Sequence, residues 1–109
     1  MSRGMGVGIA VIGVVALTAL VVSLVQGIPS PQNEYRPTAT AGRAVFLEAC
    51  SGCHGVEGQG TSIAPPLKGR NIPPERIRKR VQTGSGRMPR FPNIAGEAMK
   101  NLAEVVSAL

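Results

Sequence analysis

The sequence predicts an all-α protein, a small helical domain behind a single N-terminal transmembrane helix, and three observations predict it. Residues 4–28 form an apolar run of 25 residues without a charge. Beyond that run, apolar residues recur at helical spacing and no stretch alternates in the manner of a strand. Segments rich in Gly and Pro punctuate the periodic stretches and mark the loops between helices.

The elements follow in order. At 1.5 Å rise per residue, the uncharged run reaches about 37 Å, enough to cross a hydrocarbon core of roughly 30 Å. A cleaved signal peptide has a shorter apolar region and a small-x-small cleavage site, and Val25-Gln26-Gly27-Ile28 makes a poor one, so residues 1–28 are read as an uncleaved anchor. Arg3 is the only charge ahead of the span and favours an inside N-terminus, which places the rest of the chain on the periplasmic or extracytoplasmic side of the cell membrane. Residues 29–40 carry Pro29, Pro31 and Pro37 and read as an extended linker, a leash of about 37 Å at most. The folded domain is expected over residues 41–109. Thr40 is placed to cap a first helix over residues 41–49, with Ala41, Val45, Phe46 and Ala49 on one side. Residues 52–72 read as loop. Pro73-Pro74-Glu75 opens a short second helix with Ile77 and Val81 facing one way, and Gly84 ends it. After a loop over residues 84–93, a last helix carries Met99, Leu102, Val106 and Leu109 on its apolar face.

About 70 residues is a small unit, and cores of that size usually need a staple such as a disulfide, a metal or a cofactor. Only Tyr35, Phe46 and Phe91 are aromatic, so the core lacks large planar side chains. The two cysteines and the single histidine lie together in Cys50-Ser51-Gly52-Cys53-His54. This is C-x-x-C-H, the pattern for covalent haem attachment. Two thiols at that spacing can add to the two vinyl groups of one porphyrin, and the adjacent imidazole can reach the iron from one face. The haem would then fill the space that aromatic residues leave. A structural disulfide, a thioredoxin-like redox pair and a zinc site compete with this reading. The redox pair wants a βαβ setting, and zinc lacks a fourth ligand. A match that uses every Cys and the only His also argues against accident.

A second axial ligand cannot be another His of this chain. Met88 and Met99 are the thioethers of the folded domain. Met99 sits at a core position of the last helix, whereas Met88 lies in the loop Gly86-Arg87-Met88-Pro89-Arg90-Phe91, from which a side chain can reach across a haem. A His54/Met88 pair blocks the iron from small molecules and suits electron transfer, whereas an open iron site suits a haem sensor or a peroxidase-like protein.

Residues 41–109 resemble the class I c-type cytochromes, in particular the small membrane-anchored monohaem cytochromes c of bacteria. The stretch from Cys50 to Gly60 is similar to that family's C-x-x-C-H-G-x-x-G-x-G run, Ala64-Pro65-Pro66-Leu67 to its Pro-x-Leu element, and Met88-Pro89 to its distal-ligand motif. Gly42 and Phe46 match its first-helix pattern, in which a glycine lets the last helix cross closely. The resemblance implies a three-helix domain around one covalently attached haem c, held by Cys50 and Cys53 and ligated by His54 and Met88. It also implies that the carbonyl of Pro65 orients His54. One departure is Val105, where the family usually has an aromatic residue. This puts the usual aromatic contact with Phe46 in question and points to a looser helix crossing.

The formal charge is +6. Lys68, Arg70, Arg76, Arg78, Lys79, Arg80, Arg87 and Arg90 face a single acid, Glu75, in the segment expected to wrap the haem. Such a basic ring suits a redox protein partner with an acidic docking surface better than it suits anionic lipid. Nucleic acid is not expected, because no binding module is recognisable. The implied role is single-electron transfer without catalysis by this chain alone. The chain would be either a tethered carrier between a quinol-oxidising complex and a terminal oxidase, or a fixed haem subunit of a respiratory or dehydrogenase complex.

Overall fold

The computed structural model describes residues 30–109, so the expected membrane anchor lies outside the described residues. Among the described residues no helix is long and apolar enough to cross a membrane, and there is no strand, only two isolated β-bridges. Among the described residues the helical elements are α1 (Gly42–Ala49), α2 (Ser51–His54), α3 (Pro74–Thr83) and α4 (Gly96–Ala108).

Helix α4 is the centre of the fold. Its apolar positions Ala98, Met99, Leu102, Ala103 and Val106 are all buried. At about 1.5–3 kcal/mol for each large apolar side chain taken out of water, this face is the main source of cohesion. Both α1 and α3 pack on α4, and they do not pack on each other. That arrangement leaves a gap between α1 and α3, floored by α4.

Helix α1 begins one residue later than the periodicity indicates. Ala41, expected on the inner face, is exposed, and the buried face is Gly42, Val45 and Phe46. Thr40 does not cap the helix through its side chain. Instead its backbone carbonyl accepts a hydrogen bond from Asn101 Nδ2 of α4 at 2.9 Å. The crossing of α1 and α4 is close rather than loose. A Cβ on Gly42 would run into the Asn101 backbone carbonyl and come within 2.8 Å of Val105 Cγ2. Phe46 is fully buried, and α4 carries no aromatic residue to meet it.

Helix α3 starts as its sequence directs, with Pro73 at the cap, Pro74 in the first turn and Glu75 near the positive end of the helix dipole. Gly84 ends it at φ 67°, a left-handed conformation that favours glycine. The C-x-x-C-H stretch, expected as loop from Gly52 onward, is itself a one-turn helix, α2, joined to α1 through Cys50.

Part of the segment read as a linker is bonded to the domain. The Arg90 amide donates to Pro31 O at 3.0 Å, and the Asn33 amide donates to Arg90 O at 2.8 Å. Tyr35 packs against the core, and its hydroxyl donates to Glu48 of α1.

Candidate functional site

The site is assembled at the end of α1. The Cys50 amide donates to Phe46 O and terminates that helix, and the His54 amide donates to Cys50 O at 3.0 Å to close the single turn of α2. A helical turn places residues three and four apart on one side. Cys50, Cys53 and His54 accordingly all line one cavity. Gly55, at φ 88°, then turns the chain away.

The following loop folds back on the imidazole. Gly58 O accepts from the Leu67 amide at 2.7 Å and the Lys68 amide at 2.9 Å, and the Gly60 amide donates to His54 O at 2.7 Å. The closed loop brings Pro65 O to 2.8 Å from His54 Nδ1. A carbonyl oxygen can only accept, so Nδ1 carries the proton and Nε2 keeps its lone pair for a ligand bond.

Met88 comes from the other side of the sequence, on a tight turn between α3 and α4. Its amide donates to Ser85 O at 2.9 Å, and the Ser85 amide donates to Met88 O at 3.0 Å. Met88 lines the same cavity, whereas Met99 is buried in the core and takes no part in the cavity wall. The five residues singled out in the sequence, Cys50, Cys53, His54, Pro65 and Met88, therefore share one cavity.

That cavity has a volume of about 620 Å³. The figure lies within the roughly 300–1,000 Å³ of cofactor and small-molecule sites. Ile72, Ile77, Val81, Phe91, Leu102 and Val106 supply apolar wall from the loop before α3, from α3 and α4, and from the loop between them. Arg70, Arg76, Arg80 and Arg87 are exposed and line the same space, so they form a cationic rim. Among the described residues the only ion pair is Lys68 with Glu57, at 3.5 Å, which leaves those four guanidinium groups without a carboxylate partner. The apolar wall residues of α3 and α4 were readable from helical periodicity. Asn33, which also lines the cavity, carries no signal of its own in the sequence.

Burial, reinforced by the nearby Cys53, pushes the Cys50 thiol up from 9.0 to about 11, away from the depressed values that make a cysteine a ready nucleophile. The two cysteines are not joined in a disulfide. Among the described residues no three Cys, His, Asp or Glu side chains converge as metal ligands. The arrangement suits a large, flat, mainly apolar cofactor with a metal centre of its own, fixed through two thiols and met by an imidazole and a thioether.

A family model described as cytochrome c oxidase, cbb3-type, subunit III matches residues 37–105. No curated protein and no solved structure matches the chain.

Proposed function

This chain belongs to the family of cytochrome c oxidase, cbb3-type, subunit III, a family of c-type cytochromes, and on that premise we propose that it is a membrane-anchored monohaem electron carrier working as the haem subunit of a respiratory complex. The observation that carries the reading is the convergence of Cys50, Cys53, His54 and Met88 on one apolar cavity, with the imidazole already oriented by Pro65.

The residues present fit a haem. Cys50 and Cys53 would hold it through thioether bonds, His54 Nε2 and Met88 Sδ would ligate its iron, and the walls from α3 and α4 would exclude water. Haem c supplies a one-electron iron couple when bound. The protein's part is positional and electrostatic. The Pro65 carbonyl fixes the ring plane of His54 and strengthens its donor character. With the haem held by His54 and Met88, the Met88 thioether would favour its reduced form and would keep small molecules from its iron, which separates this reading from a sensor or peroxidase. The apolar wall would keep reorganisation on electron transfer small.

The rim of Arg70, Arg76, Arg80 and Arg87 surrounds the opening through which an electron would pass. A partner with an acidic docking surface is drawn to it, and the attraction weakens with salt because the arginines are solvent-exposed. The family's description as an oxidase subunit favours a fixed place in a terminal oxidase over a free shuttle. The uncharged run of residues 4–28 supports a single-pass anchor in the cell membrane, with the haem domain on the extracytoplasmic side.

The test is a reduced-minus-oxidised spectrum and a pyridine haemochrome assay on membranes from cells making the full chain, followed by gentle detergent extraction and sizing. A c-type spectrum that migrates with a larger complex is expected. A lone monomer would overturn the subunit assignment, and absence of a c-type signal would overturn the carrier.

A further inference from the structure

The segment between the apolar run and the folded domain bonds to the loop that carries Met88. The strap and Arg90 exchange two backbone hydrogen bonds, Arg90 N–H to Pro31 O at 3.0 Å and Asn33 N–H to Arg90 O at 2.8 Å, and Gln32 pairs with Arg90 as a parallel β-bridge. The side chains repeat the link, for Arg90 Nη2 donates to Gln32 Oε1 at 3.3 Å. Asn33 Oδ1 accepts from the Tyr35 amide at 2.8 Å, a local turn that sets the strap's course, and Asn33 also lines the cavity. Gly84 marks the point where the strap, the end of α3 and the Met88 loop meet. A Cβ there would lie 2.7 Å from Met88 O, 2.7 Å from Ser30 Cβ and 2.9 Å from Arg90 N.

The Met88 loop has few other supports. Its own turn joins Ser85 to Met88, and the Phe91 amide donates to Val81 O at 2.8 Å. Between those two points, the backbone of Arg90 is satisfied only by the strap. A buried or half-buried amide and carbonyl that lose their partners favour rearrangement of the loop.

We infer that residues 31–33 are a positioning element of the cofactor site, with Asn33 as the positioning residue. By holding Arg90, the strap keeps Met88 over the cavity, so the distal ligand is set in part by the segment that leads to the anchor. The inference rests on the haem reading proposed above. A displacement of the strap, by tension on the anchor or by a docked partner, would loosen Met88 and lower the reduction potential, while the attachment through Cys50 and Cys53 would stay intact.

The experiment uses the full chain carrying its haem, and compares wild type with Asn33→Pro, which deletes the N–H that binds Arg90 O, and with Gln32→Ala, which removes the side-chain link and keeps the backbone bonds. The readouts are haem content by pyridine haemochrome, the weak charge-transfer band of Met-ligated ferric haem followed against pH, and hydrogen exchange at the Arg90 amide. Asn33→Pro is expected to keep full haem content, to raise the fraction lacking the Met–iron band by about fivefold at a given pH, the change expected for one net hydrogen bond, and to lose the band at lower pH. Gln32→Ala should shift the same curve by less in the same direction, and it carries the test if the proline variant does not fold. Unchanged pH curves in both variants, with faster exchange at Arg90, would overturn the inference, because the strap would then be detached and Met88 unmoved. Absence of haem from the wild type would instead overturn the reading beneath it.

Discussion

Removing the haem should unfold this domain, and the structure indicates by how much. A cavity of about 620 Å³ lies between α1 and α3 on the floor of α4. Cavities left open in protein cores cost about 24 cal/mol per Å³, so an empty space of 620 Å³ corresponds to about 15 kcal/mol. Because the exposed arginines leave one side open to water, that figure is an upper bound. Small domains have only about 5–15 kcal/mol of stability in total, and this one sits at the small end. No second set of contacts makes up the loss, since α1 and α3 do not touch each other. The assay is circular dichroism with thermal melting of the haem-loaded chain against a Cys50→Ala, Cys53→Ala double variant that cannot attach haem. The loaded protein should melt cooperatively, and the double variant should show little helix and no cooperative transition. A double variant with the same helix content and a sharp melt would refute the reasoning, because the cavity would then not need a guest.

Replacing Met88 with Ala should leave haem content unchanged, abolish the Met–iron band and lower the reduction potential by a measurable part of the roughly 0.8 V that axial ligands span; redox titration with optical detection checks it. Gly42→Ala should destabilise the loaded protein by about 1–3 kcal/mol, because the new methyl meets the Asn101 backbone rather than a movable side chain; chemical denaturation measures the loss. Tyr35 is pushed up from 10.0 to about 12 by burial and by its hydrogen bond to Glu48. The folded chain thus keeps this proton where the unfolded chain releases it, so its contribution is full below pH 10 and is lost as pH rises toward 12. Tyr35→Phe should flatten the fall in stability between those values, as read from melts across that range.

Much of this architecture was written locally. The α3 boundaries follow from Pro73, Pro74 and Gly84, and the α4 face follows from the spacing of Met99, Leu102 and Val106. The grouping of Cys50, Cys53, His54, Pro65 and Met88 around one cavity was anticipated because each residue sits in a short, specific motif. The one-turn helix α2 was missed because a single turn has no periodicity and contains Gly52. The expected cap at Thr40 failed because the helix starts at Gly42, which puts Ala41 rather than Thr40 at the cap position. The docked strap was also out of reach. Its prolines show extended backbone, but nothing local says that the edge it pairs with is Arg90. Likewise, Val105 in place of an aromatic partner for Phe46 suggested a looser crossing, and the close approach at Gly42, which the sequence also marked, decided the opposite. The contacts that escaped the sequence are those between segments far apart along the chain, where no short-range pattern records the partner.

The proposed electron-carrier role requires both sulfurs of the C-x-x-C-H turn to be bonded to one tetrapyrrole. Intact-mass spectrometry of the full chain, produced in a host with haem-attachment machinery and treated with an alkylating reagent under denaturing conditions, tests it most directly. A mass increase of one haem per chain is expected, with no alkylation at Cys50 or Cys53. An unmodified chain alkylated at both thiols would contradict it.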